Sequence, residues 1–115
     1  MLEQTNEREK LLKKLIRLEK SLSELESQLS RFSWDIAKDM VYLKRRDIEF
    51  ILKKFIENLL PLEEVVKWAN LIEGRDGIGG MDDVLVKDII YELANPDLHG
   101  LLTKDRAKAL IKALK

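Results

Sequence analysis

Leu11-Leu12-Lys13-Lys14-Leu15-Ile16-Arg17-Leu18-Glu19-Lys20-Ser21-Leu22-Ser23-Glu24-Leu25-Glu26-Ser27-Gln28-Leu29-Ser30-Arg31-Phe32-Ser33-Trp34-Asp35-Ile36 is a stretch without glycine or proline. Its apolar residues recur at Leu11, Leu15, Leu18, Leu22, Leu25, Leu29, Phe32 and Ile36, in alternating steps of four and three. Such a seven-residue repeat lines up on one side of a helix. Arg8 and Asp39 occupy the next core positions, so the repeat stops at both ends. Leu12 and Ile16 widen the stripe at its start, which suits a helix wedged into a bundle better than a two-stranded zipper. Residues 1–37 are therefore expected to form a leucine-striped arm that associates with other helices, either on a second copy or on the rest of the chain.

Working outward, residues 1–60 contain neither glycine nor proline, and every one of both lies between Pro61 and Gly100. The first half should be one very long helix or an antiparallel hairpin. The serines from Ser21 to Ser33, good N-caps but mediocre helix formers, place a break near residues 30–39. Residues 38–115 read as a bundle of shorter helices. The first runs from Asp35 or Lys38 to Leu59, with Val41, Ile48, Ile51, Leu52, Phe55 and Leu59 on one face. Pro61 opens the next as its first residue, carrying Val65, Trp68, Ala69 and Ile72, with Gly74 as C-cap. The glycine-rich segment 74–80 reads as a flexible connector to Asp82, an N-cap. The following helix ends at Asn95-Pro96, and Thr103 caps the last one, which buries Ala107, Leu110, Ile111 and Leu114. No stretch alternates as a strand must, so the fold class is all-α.

The 115 residues carry 21 basic and 21 acidic side chains and no cysteine. A balanced charge gives no long-range attraction to nucleic acid or anionic membranes. The lack of cysteine excludes disulfides and thiolate metal sites and fits the cytoplasm. No apolar run is long enough for a membrane span, and the polar start is not a signal peptide.

Candidate chemistry is sparse. His99 is the single histidine, without a second histidine or a cysteine to share a metal. The glycine-rich segment lacks both the phosphate-loop spacing and the calcium-loop series of oxygen ligands. No cofactor, metal or catalytic group is expected. Two charged clusters remain. Lys44, Arg45, Arg46, Lys53 and Lys54 form a basic face, the alternative nucleic-acid surface. Glu73, Asp76, Asp82, Asp83, Asp88 and Glu92 form an acidic face that would steer a basic protein partner. Trp34 and Trp68 are candidate anchors or core residues. The expectation is a non-enzymatic protein-interaction module, with an oligomer through the arm as an additional possibility.

From Ile48-Glu49-Phe50-Ile51-Leu52, through Trp68-Ala69-Asn70-Leu71-Ile72-Glu73-Gly74-Arg75-Asp76, to Glu92-Leu93-Ala94-Asn95-Pro96 and Leu101-Leu102-Thr103, the chain resembles small helical bacterial proteins, some similar to colicin-type immunity proteins. That resemblance spans about residues 48–115. It implies a helical fold without catalysis that binds and neutralises another protein.

Overall fold

The computed structural model describes residues 2–19, 21–31, 41–73, 75 and 77–115, with the side chains of 2–6 left aside. The chain is mostly helical. Among the described residues it has seven α-helices and one short parallel ladder: α1 (Leu2–Arg17), α2 (Leu22–Leu29), β1 (Val41–Tyr42), α3 (Arg45–Ile56), α4 (Leu62–Ile72), β2 (Ile78–Gly79), α5 (Val84–Ala94), α6 (Pro96–His99) and α7 (Lys104–Leu114). α3 packs chiefly on α7 and α4 on α5, while α1 and α2 pack on each other and against α3 and α4. One core cluster runs from Leu12 to Leu114, with Leu15, Leu25, Ile48, Ile51, Leu52, Val65 and Trp68 fully excluded from solvent.

The seven-residue repeat does not produce one long helix. α1 stops at Arg17 because Leu18 adopts a left-handed conformation, φ 53°. The Leu18 N–H donates to Leu15 O at 3.2 Å and the Glu19 N–H to Lys14 O at 3.0 Å, the paired bonds of a Schellman motif. A left-handed leucine costs about 1–2 kcal/mol, which helps to explain why this position looks like mid-helix in sequence. Here Leu18 also packs, partly buried, on the core. Ser21 then caps α2, its hydroxyl accepting the Glu24 N–H at 3.3 Å. The chain thus breaks between Arg17 and Leu22, where no break was expected, and again after Leu29, where Ser30 caps α2 at the edge of the predicted 30–39. The rest of that stretch, with Phe32, Trp34 and Ile36, lies outside the described residues. Among the described side chains of α1, Leu12, Leu15 and Ile16 are buried, whereas Leu11 and the following Leu18 are only partly covered. That is the stripe of a bundle helix, and Leu22, Leu25 and Leu29 continue it into the same core.

The second half follows its pattern with local corrections. Residues 41–44 are not helical: Val41 and Tyr42 form β1, and α3 starts at Arg45, where the Asp47 carboxylate accepts the Lys44 N–H at 2.9 Å. α3 ends at Ile56 through another Schellman motif, with Asn58 left-handed at φ 62°. Leu59, predicted on its buried face, is therefore 68% exposed. Pro61 caps α4 from outside rather than opening it. Gly74 lies outside the described residues. Asp83, not Asp82, caps α5 by accepting the Leu85 N–H. Beyond the predicted helix end at Asn95-Pro96, Pro96–His99 forms a single helical turn.

Residues 77–80 of the glycine-rich segment, expected as flexible connector, are structural. Ile78 and Gly79 form β2, parallel to β1, with Val41 facing Ile78 and Tyr42 facing Gly79. The Val41 N–H donates to Gly77 O at 3.0 Å and the Leu43 N–H to Gly79 O at 2.9 Å. Gly80 has φ +106°, and a Cβ there would collide with Leu43 O. Backbone contact this close requires glycine.

Candidate binding surfaces

Trp68, expected on the apolar stripe as core with an interface anchor as the other reading, serves the interior. Its indole Nε1–H donates to Leu15 O at 2.8 Å, deep in the core. That carbonyl belongs to the last turn of α1, where it lacks the usual i+4 donor of a helix interior and also accepts the Leu18 N–H. Trp68 therefore fastens the N-terminal arm to α4.

The two predicted charged faces meet each other. Arg45 Nε lies 2.8 Å from Asp83 Oδ2, with a second bond from Arg45 Nη2 to Oδ1 at 3.2 Å. The Arg45 hydrogen bonds hold the Asp83 carboxyl below its usual range. This fork joins the start of α3 to the start of α5 and takes one member out of each face. Glu92 is similarly engaged: Arg106 Nη2 sits 2.7 Å from Glu92 Oε1, and this hydrogen-bonded pair depresses the Glu92 carboxyl. Glu73, Asp82 and Asp88 remain exposed, and Asp76 lies outside the described residues. Arg75, within the acidic stretch, folds back so that its Nε donates to Leu71 O at 2.6 Å, and burial lowers its pKa.

Asp88 belongs to a surface that charge counting missed. Val84, Asp88 and Tyr91 follow helical spacing on α5 and are all exposed. The His99 ring meets Tyr91 edge-on at 5.3 Å, which places α6 beside α5. Leu98 and Leu101 are 68% and 72% exposed. Next to them is a cleft of about 250 Å³ with Leu93, Pro96, Leu101 and Leu102 among its lining and the Glu92–Arg106 pair at its wall. Solvent-facing tyrosine and leucine on elements that border a cleft is the composition of a protein-binding surface. Alternating burial along α5 could have found it, since Val84 and Tyr91 fall off the stripe of Val86, Ile89, Ile90 and Leu93.

The predicted basic face is divided. Lys53 pairs with Glu49 at 3.5 Å, and Lys54 Nζ sits 4.7 Å over the Phe50 ring. Lys44 and Arg46 instead turn toward α1. With Lys10, Lys13, Lys14 and Arg17 they line a groove of about 660 Å³ whose wall includes Tyr42, 59% exposed. The four α1 cations have helical spacing but were masked in sequence by the leucine repeat beside them. Among the described residues, no group of three or more histidines, cysteines or carboxylates is arranged to hold a metal, and no helix is long and apolar enough to cross a membrane. No protein-family model, curated protein or solved structure matches the chain.

Proposed function

We propose that this chain is a non-enzymatic interaction module that binds a protein partner through the surface built by α5 and α6. The observation that carries this reading is the exposure of Tyr91, Leu98 and Leu101 on and just after α5 and α6, where Leu101 and His99, the ring partner of Tyr91, line a cleft. Burying such side chains contributes roughly 1.5–3 kcal/mol each for aliphatic residues, enough for a few anchors to dominate an interface. Asp82 and Asp88 lie toward the same helix and favour basic groups at the partner's rim, where charge governs encounter rate and selectivity. Asp83 and Glu92 contribute less, because each is already bonded to an arginine of this chain. The resemblance of about residues 48–115 to small helical bacterial proteins, some of them similar to colicin-type immunity proteins, is the sequence expectation on which this reading builds. In this reading the leucine arm is part of the scaffold.

The test compares proteins retained from lysate by the intact chain and by a variant combining Asp88→Lys, Tyr91→Ala and Leu98→Ala. All three positions are exposed, so helical content should be unchanged. The expected result is a basic protein held by the first and released by the second. An identical set retained by both would remove this surface from the function.

A further inference from the structure

We propose that the groove between α1 and the β1–α3 junction is a second binding site, taking a short length of single-stranded nucleic acid. It has no lining residue in common with the α5–α6 cleft, and it stands independently of the reading above.

The argument starts with charge. Lys10, Lys13, Lys14 and Arg17 follow one stripe of α1, while Lys44 and Arg46 face them from the start of α3. Three carboxylates share the groove: Glu9, Glu19 and Asp47. Asp47 is occupied in accepting the Lys44 N–H. Among the described residues none of the six cations is held in an ion pair, although Arg45, Lys53 and Arg106 elsewhere all are. A chain with no net charge has therefore concentrated unpaired positive charge in one concavity. Such focusing attracts a polyanion and releases its counterions.

Shape and Tyr42 decide which polyanion. Duplex DNA is read by a convex helix or ribbon entering its major groove, and here the protein supplies the hollow. The α1 cations run from Lys10 to Arg17, about 10 Å of helix, roughly the rise of three stacked nucleotides. Tyr42 is exposed on the wall, held by the β1–β2 ladder on either side of its main chain. An aromatic ring fixed beside a basic track is how sequence-tolerant single-strand binding works, with bases stacking while phosphates meet cations. A lipid surface would need apolar side chains at the rim, yet the aliphatic lining residues Ile16 and Val41 are both buried.

The experiment uses the full chain and fluorescence anisotropy with labelled oligouridylate and oligothymidylate of about twelve nucleotides. Three or four phosphate contacts predict binding about 20- to 50-fold weaker at 200 mM than at 50 mM salt. Lys13→Glu with Arg17→Glu should weaken binding by about 10-fold or more at unchanged helicity. Lys108→Glu with Lys112→Glu, on exposed positions of α7, should leave it unaltered. Tyr42→Ala should weaken oligonucleotides by about 5-fold or more while sparing heparin, which has no bases to stack. Absence of binding at 50 mM salt, an equal loss in the α7 variant, equal effects of Tyr42→Ala on heparin and oligonucleotide, or tighter binding to duplex or anionic vesicles would each overturn the proposal.

Discussion

Trp68→Phe isolates the bond that fastens α1 to the bundle. Phenylalanine keeps most of the buried aromatic surface but loses the Nε1–H that reaches Leu15 O at 2.8 Å. A hydrogen bond of this kind is worth about 1 kcal/mol net. The missing pyrrole portion removes apolar volume equivalent to one or two methylenes at about 0.8 kcal/mol each, at a site with no solvent exposure. Leu15 O keeps the Leu18 N–H at 3.2 Å, which limits the penalty for a stranded acceptor. The sum is about 2–3 kcal/mol. With a urea dependence near 1.5 kcal/mol/M, the unfolding midpoint should fall by about 1.5–2 M. Amide exchange supplies the specific signature. Protection at Leu12, Leu15 and Ile16 should drop more than protection at Ile89 and Ile90, because the bond joins α1 to α4 and leaves α5 untouched. A midpoint shift under about 0.3 M, or uniform loss of protection across both helices, would refute the claim that this bond docks the arm.

Three further outcomes test the framework. Gly80→Ala places a Cβ against Leu43 O at a positive φ and should destabilise by about 2 kcal/mol or more, measured by urea unfolding. Asp83→Ala should lower the thermal midpoint more than Asp83→Asn, which keeps a cap for the Leu85 N–H but loses the charge facing Arg45; added salt should narrow the gap between Asp83→Asn and the unaltered chain. Glu92 has its pKa depressed in the fold by the Arg106 hydrogen bonds, so its contribution is present above the unfolded glutamate value and is lost as pH falls through the folded one. Stability measured from pH 7 to below about pH 4 should decline less steeply in Glu92→Gln than in the unaltered chain.

Much of the scaffold was legible in local pattern. Ile48, Ile51 and Leu52, or Val65, Trp68, Ala69 and Ile72, sit at spacings that only a one-sided helix explains, and each is buried. Thr103 was readable as a cap because its hydroxyl needs only the Arg106 N–H three residues on. What escaped depended on distant partners. β1 and β2 are two residues each and exist through their pairing with each other, across some 37 positions of sequence. Leu18 carries no mark of a helix stop, since leucine is seldom left-handed. The faces misled because charge was counted along the chain: Arg45 and Asp83 stood in opposite clusters, yet they bind each other. The α1 half of the basic groove was hidden because Lys10, Lys13, Lys14 and Arg17 flank a leucine stripe that captured the interpretation.

The pairing of α3 with α7 also sets an order of events during synthesis. Ile48, Ile51 and Leu52 emerge from the ribosome long before Ala107, Leu110, Ile111 and Leu114, the residues of the helix on which α3 chiefly packs. α4 and α5 can meet as neighbours, and α1 and α4 cover part of α3, but the part of its apolar face that meets α7 must wait for about fifty more residues. At ordinary elongation rates that wait lasts several seconds. Nascent chains halted before Thr103 should therefore recruit chaperones that chains extended beyond Leu114 no longer hold.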